Sequence, residues 1–282
     1  MKTLRIPLIL LLATASAQAA PDTLRVTGSN TFGEKLGPLL VSGFERKNPG
    51  IAVDLKRPGS GAGIAALTAG QADIAPTSRP ANRAELQAAK KAGVKLLPRT
   101  IGSYGVAVIV NAASPIKNLK PAQVRAIFNG KTANWGTVRG SDKPVHVCIL
   151  DQNTGARAGF QELALRGDAY TASAKAFPDY ASIVAAVAAD PDAIGYADMT
   201  KLPAGVRSLL INGQPANGAA IYEQVYPYAN TLYLYTLEGR DKTAAKKFIS
   251  YVLSKDGQRV LQKAGFVPRL TPPASTARNI AP

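Results

Sequence analysis

The chain has 282 residues, 46% hydrophobic and 18% charged, with a formal net charge of +16. That balance excludes a disordered chain and supplies enough apolar residues for one large or two modest domains. A single Cys and a single His exclude an internal disulfide framework and a Cys/His zinc cluster.

The cations are scattered, with no arginine-rich helix and no nucleic-acid motif, so no nucleic-acid partner is expected and the charge reads as a surface that steers anions. The N-terminus has the form of a secretory signal: Lys2 and Arg5, the apolar run Ile6–Leu12, then Ala17-Gln18-Ala19 as a small-x-small cleavage site. Cleavage is expected after Ala19, making 1–19 the signal and the mature protein periplasmic or exported further. No Cys stands at the cleavage region, as a lipoprotein would need.

Leu24–Thr27 predicts a strand, and Leu36, Leu39, Leu40 and Phe44 recur at helical spacing until Asn48-Pro49-Gly50. Ile51–Leu55 predicts a second strand, followed by a helix around Ile64 and Leu67 that stops near Gly70, and Ala72–Ala75 a third strand. Asn82 with Glu85 forms a capping box for a helix ending at Gly93. Tyr104–Val110 reads as a buried strand, and Pro121 opens a helix carrying Val124, Ile127 and Phe128. Val145–Leu150 is a strand containing Cys148, read as a small buried hydrophobe. A helix with Phe160, Leu163 and Ala164 follows, then an alanine-rich helix over 181–189, strands at 193–197 and 232–235, and two final helices over 241–253 and 256–264. Strands alternating with helices predict an α/β architecture.

Three strand-to-helix junctions carry loops of small polar residues: Gly28-Ser29-Asn30-Thr31, Gly59-Ser60-Gly61-Ala62-Gly63 and Gln152-Asn153-Thr154-Gly155. Helix starts leave N–H groups unpaired and carry partial positive charge, so such loops suit a small oxyanion. The same residue types serve as plain helix caps, and one loop alone does not separate the two readings.

Taken in order, these loops resemble the phosphate-binding proteins of bacterial phosphate ABC importers. So do Ala72-Asp73-Ile74-Ala75, Gly105–Asn111, Ile127–Lys131 with Asn134-Trp135, Ala193–Tyr196, Leu232–Thr236, Ser254–Gln258 and Ala264–Pro268. The resemblance covers nearly the whole mature chain. It implies an α/β, two-lobed periplasmic-binding-protein fold with a ligand cleft between the lobes and two crossing segments, near Ile109–Ala113 and Tyr226–Thr231. Lobe I is then 20–108 plus 228–282, and lobe II is 109–227.

The resemblance implies ligand contacts from Ser29, Thr31 and Phe32, from Ser60 and Gly61, from Ser78 and Arg79, and from Asn153, Thr154, Gly155 and Arg157. Thr31 and Phe32 would present N–H groups, and Arg79 and Arg157 charge. The chain departs from the family pattern at Ser78, where some members carry Asp, and at Leu150, Gln152 and Ala156, where an Arg, an acid and a hydroxyl are usual. The implied function is capture of phosphate or a similar small oxyanion for a membrane ABC permease, by a monomer without enzymatic activity, metal or cofactor. A phosphatase-like relative and an envelope adhesion or matrix protein that has lost the ligand are the alternatives. His146 would have to serve any Ser-His-Asp chemistry, and no nucleophile-elbow sequence accompanies it.

Overall fold

The computed structural model describes residues 22–152, 155–198, 202–240 and 242–269. The expected signal segment lies outside these, as do Asn153 and Thr154. In chain order the elements are β1 (Asp22–Thr27), α1 (Gly37–Lys47), β2 (Ile51–Lys56), α2 (Ser60–Thr68), β3 (Ala75–Thr77), α3 (Arg83–Lys91), β4 (Leu96–Asn111), β5 (Asn118–Leu119) and α4 (Pro121–Phe128). There follow β6 (His146–Leu150), α5 (Gly155–Phe160), β7 (Lys175–Phe177), α6 (Tyr180–Ala189), β8 (Ala193–Asp198), β9 (Val206–Ser208), β10 (Leu210–Ile211) and α7 (Gly218–Tyr222). Then come β11 (Ala229–Leu237), α8 (Thr243–Leu253), α9 (Lys255–Lys263) and β12 (Val267–Pro268). Wide π turns at Phe32–Leu36 and Gln161–Leu165 lead into α1 and extend α5.

β4 organises the molecule. Its first part, Leu96–Gly105, runs antiparallel to β11, while Val106–Val110 pairs with β8 and Ile109–Asn111 with β9. One strand therefore serves both lobes, and it is buried continuously from Ile101 to Asn111, as befits a strand covered on both faces. The exchange of partners falls between Gly105 and Val106, a few residues before the expected crossing near Ile109. In one lobe β1 and β2 pair in parallel, and a bridge from Val26 to Ile74 carries that pair to β3, which pairs with β11. In the other, β8, β6 and β7 run parallel behind α6.

The cores follow from the apolar periodicity. Leu36, Leu40 and Phe44 are fully buried, and the Phe44 ring meets Phe248 of α8 edge-on at 5.1 Å. Leu39, expected on the same stripe, is 49% exposed; the buried stripe runs through Leu36, Leu40 and Phe44 at i, i+4 and i+8, and Leu39, one residue from Leu40, lies about 100° round the helix from its centre. The third strand lies slightly later than Ala72–Ala75, because Ile74 only bridges β1 and the antiparallel ladder with β11 begins at Ala75. Asn82 and Glu85 form the expected capping box. Cys148 is buried, and burial raises its thiol to about 11, which leaves it protonated and unreactive.

Asp73 fastens the first lobe. Its carboxylate accepts from the Arg25 backbone N–H at 2.9 Å, from Arg25 Nη2 at 2.7 Å and from Lys242 Nζ at 3.1 Å. Burial works to raise its pKa, yet the bonds from Arg25 and Lys242 prevail and hold it at about 2. An unfolded Asp titrates near ~3.9, so the ionised carboxylate stabilises the fold above about pH 4, and this contribution fades as pH falls toward 2. In urea unfolding at pH 7 the native chain should exceed Asp73→Asn by about 2 kcal/mol, and the two should converge near pH 2. A difference that persists undiminished at low pH would place the stabilisation elsewhere.

Candidate functional site

Backbone bonds stitch the first two loops and the end of β3 together at the carboxyl ends of β1, β2 and β3. Gly28 N–H donates to the Lys56 carbonyl at 3.0 Å, Gly59 N–H to the Gly28 carbonyl at 2.9 Å, and Ser29 N–H to the Pro76 carbonyl at 2.8 Å. This is the edge of an α/β sheet where ligands are held. The glycines have structural work here. Gly59 has φ +108°, and a Cβ on Gly63 would stand 2.4 Å from the Thr27 carbonyl oxygen. Two of the three glycines of the second loop are thus required by a turn and by close helix–strand packing, quite apart from any ligand.

The hydroxyls converge. Ser60 Oγ, in the first turn of α2, lies 3.3 Å from Ser78 Oγ and accepts the Ser78 N–H at 3.2 Å. Between these and the first loop stands the Tyr104 phenol, with the Ser78, Thr31 and Asn230 side chains close enough to act on its ionisation. Burial pushes this phenol up to about 12 against the opposing effect of those neighbours, so at neutral pH it carries its proton. Thr31 faces the opposite wall, where a Cβ on Gly159 of α5 would come within 3.5 Å of its Oγ1. Ser29 differs from the expectation of ligand contact: its buried Oγ accepts the Phe32 N–H at 3.3 Å. It therefore caps the helix, and it occupies the N–H expected to point at an anion.

The expected cations are committed to protein partners. Arg79 donates to both carboxylate oxygens of Glu85, at 2.9 and 2.8 Å, and its Nε meets Glu162 Oε1 from the other lobe at 3.2 Å. The Glu85 hydrogen bonds are the main cause that raises the Arg79 pKa, and Arg79 in turn lowers that of Glu85. Gly61 lies against this pair, its ideal Cβ position 3.4 Å from Glu85 Oε1 and 3.6 Å from Arg79 Nη2. Arg157 donates to the Leu150 carbonyl at 2.8 Å and lies over the Tyr170 ring at 4.8 Å. A second ion pair spans the cleft, Lys35 to Asp198 at 3.2 Å. Gly155 opens α5 on the far side.

Beside the hydroxyls lies a cavity of about 280 Å³ walled by Thr31, Tyr104, Leu150, Phe160, Tyr180 and Phe266, among others. Sequence reasoning missed Tyr104, Asn230 and Glu162 as site residues. Tyr104 had a signal, being the one hydrogen-bonding side chain long enough to reach across a loop within an otherwise aliphatic run. Glu162 had none, since its partner Arg79 is distant in sequence. His146 stands at the opposite end of β6 from Leu150, about 13 Å away by the rise of an extended strand, and pairs with Asp190 at 2.7 Å. It is therefore remote from the hydroxyl cluster. Among the described residues no group of His, Cys, Asp and Glu is placed to hold a metal ion.

The chain is 28% identical over 276 residues to the phosphate-binding protein PstS of Pseudomonas aeruginosa, covering 89% of this chain and 84% of that one. It is 26% identical to PstS of Bacillus subtilis, covering 89% and 82%. A substrate-binding protein with bound phosphate from Clostridium perfringens superposes with a TM-score of 0.66 at 25% identity, over 88% of this chain and 99% of that one. An ABC-type phosphate transport receptor from Vibrio cholerae reaches 0.77 at 22% identity, over 86% and 99%, and so shares the fold. A family model described as a PBP superfamily domain spans residues 13–256, and by that match the chain belongs to the PBP superfamily, with its two-lobed periplasmic-binding-protein fold.

Proposed function

We propose that the protein captures phosphate, or a similar small oxyanion, between its lobes and delivers it to a membrane ABC permease, working as a monomeric solute-binding protein in the periplasm or beyond. The observation that carries this reading is the convergence of Thr31, Ser60, Ser78 and the Tyr104 phenol, from separate loops and strands, at one sheet edge. The names of the Pseudomonas and Bacillus relatives and the bound phosphate of the Clostridium protein support it.

In this reading an oxyanion displaces the hydroxyl-to-hydroxyl bonds and accepts from all four groups, with Gly61, Asn153, Thr154 and Gly155 supplying further donors. Ser29 and Phe32 shape the first loop. Arg79 keeps Glu85 and exchanges Glu162 for the anion, while Arg157 holds the third loop against Leu150. The lobes, 20–108 with 228–282 and 109–227, close over the ligand about the crossing strands. The reading calls for no catalysis, cofactor or nucleic acid.

A hydrogen bond to a charged group is worth about 1.5–3 kcal/mol. Calorimetric titration with phosphate should therefore show Thr31→Val weakened by about 10- to 100-fold, with the unfolding temperature of the unliganded protein nearly unchanged. The absence of both heat and thermal stabilisation with phosphate and with sulfate in the native chain would overturn the reading. Unchanged affinity in Thr31→Val would refute the site assignment.

A further inference from the structure

We infer that the oxyanion taken by this cleft carries an apolar organic group, making the preferred ligand a phosphate monoester with a small uncharged aryl or alkyl substituent. The inference rests on the reading that Thr31, Ser60 and Ser78 hold the oxyanion, and it adds what the neighbouring cavity holds.

Inorganic phosphate has five heavy atoms, and a water molecule takes about 30 Å³ of liquid volume. The cavity beside the hydroxyls, at about 280 Å³, therefore has room for several times the anion. Ligand sites for organic molecules begin near ~300 Å³ and are mostly apolar, with a few polar groups that fix orientation. This cavity has that character. Leu150 ends β6 and Ala156 lies in the first turn of α5, so apolar side chains stand on both sides of the third loop. Phe160 at the end of α5, Tyr180 at the start of α6 and Phe266 just before β12 extend the apolar wall.

The two regions are continuous. Thr31 and Tyr104 both line the cavity, and Ser78 lies close to the Tyr104 phenol. An anion seated on Thr31 therefore borders the cavity that Tyr104 and Leu150 also line. The charged groups lining the cavity define the class further. Among the described residues, Glu34, Asp179 and Asp198 stand there with Lys35, which pairs with Asp198. These carboxylates disfavour a second anionic group.

The probes are inorganic phosphate, phenyl phosphate and phenol, titrated calorimetrically into the native protein. Burying a phenyl ring in an apolar site should make phenyl phosphate bind about 10- to 100-fold tighter than phosphate, while phenol alone binds weakly or not at all. Ala156→Leu fills the cavity and Phe266→Ala strips one wall, and each should bring the phenyl phosphate to phosphate ratio back toward unity. Phosphate binding with no preference for phenyl phosphate overturns the inference and leaves the proposed function standing. Phenol binding as tightly as phenyl phosphate also overturns it, by detaching the cavity from the anion. Binding of neither phosphate nor phenyl phosphate overturns the proposed function itself, and the inference with it. A preference that survives both variants overturns the assignment to this cavity.

Discussion

Phe160→Ala is expected to destabilise the protein by about 3–5 kcal/mol, the range for losing a large buried aromatic and leaving a cavity. The ring is fully buried, stacked on Tyr196 at 4.0 Å and met edge-on by Phe128 at 5.1 Å and Tyr228 at 5.8 Å. These contacts join the end of α5, the middle of β8, the end of α4 and the segment entering β11. One side chain therefore ties the second lobe to a crossing segment, and its neighbours are too large and too mutually packed to collapse into the space. Thermal and urea unfolding followed by circular dichroism would measure the loss. At this chain length about 3–5 kcal/mol corresponds to a fall in unfolding temperature on the order of 10 °C. Phe160→Leu, which keeps most of the apolar volume, should lose much less. A loss in Phe160→Ala below about 1 kcal/mol would show that the cluster repacks.

The legibility of this structure in its sequence follows the range of the interactions. The capping box at Asn82 and Glu85 spans three residues and was readable because both partners lie within one helical turn. The alternation of strands and helices was readable because each element buries one face or one stripe, and the resemblance extended this to the two-lobed fold. The sixteen residues of β4 were not readable as one strand. Its first half carries Pro98 and Arg99 on a partly exposed stretch, and the long-range ladder with β11, joined by β12 at Gly102 and Ser103, holds it extended. The small polar residues of the loops mark them as candidate anion sites, but their internal bonds depend on the folded chain. Ser29 looked like a ligand donor, and in three dimensions it caps its own helix. Arg79 looked like a source of positive charge, but two carboxylates, one from the other lobe, meet it. Tyr104 was counted as a strand residue, since its contacts with Thr31 and Ser78 depend on where β1 and β3 end. Local chemistry marked the loops, while the pairing of charges across the cleft is a property of the assembled lobes.

Gly28→Ala should cost about 3 kcal/mol, the upper part of the usual range for overpacking, and should weaken phosphate binding along with stability. A Cβ there would stand 2.1 Å from the Pro76 carbonyl oxygen and 3.0 Å from its carbonyl carbon and Cδ. None of these atoms is the free end of a flexible side chain. Pro76 lies in buried β3, paired with Leu234 of β11, and its oxygen accepts the Ser29 N–H at 2.8 Å. Relief requires the first loop to move away from β3, which stretches that bond and separates Thr31 from Ser78, the two hydroxyls that flank the Tyr104 phenol. Two observables therefore move together: the midpoint of urea unfolding falls, and the calorimetric affinity for phosphate falls with it. Gly50→Ala is the control, because nothing lies within 4 Å of a Cβ there, and it should stay within about 0.5 kcal/mol of the native chain. If Gly28→Ala proves as stable as the control, the first loop has a way to yield that this packing does not allow. If stability falls while phosphate affinity holds, the hydroxyls of the first loop and of the turn after β3 do not share one anion.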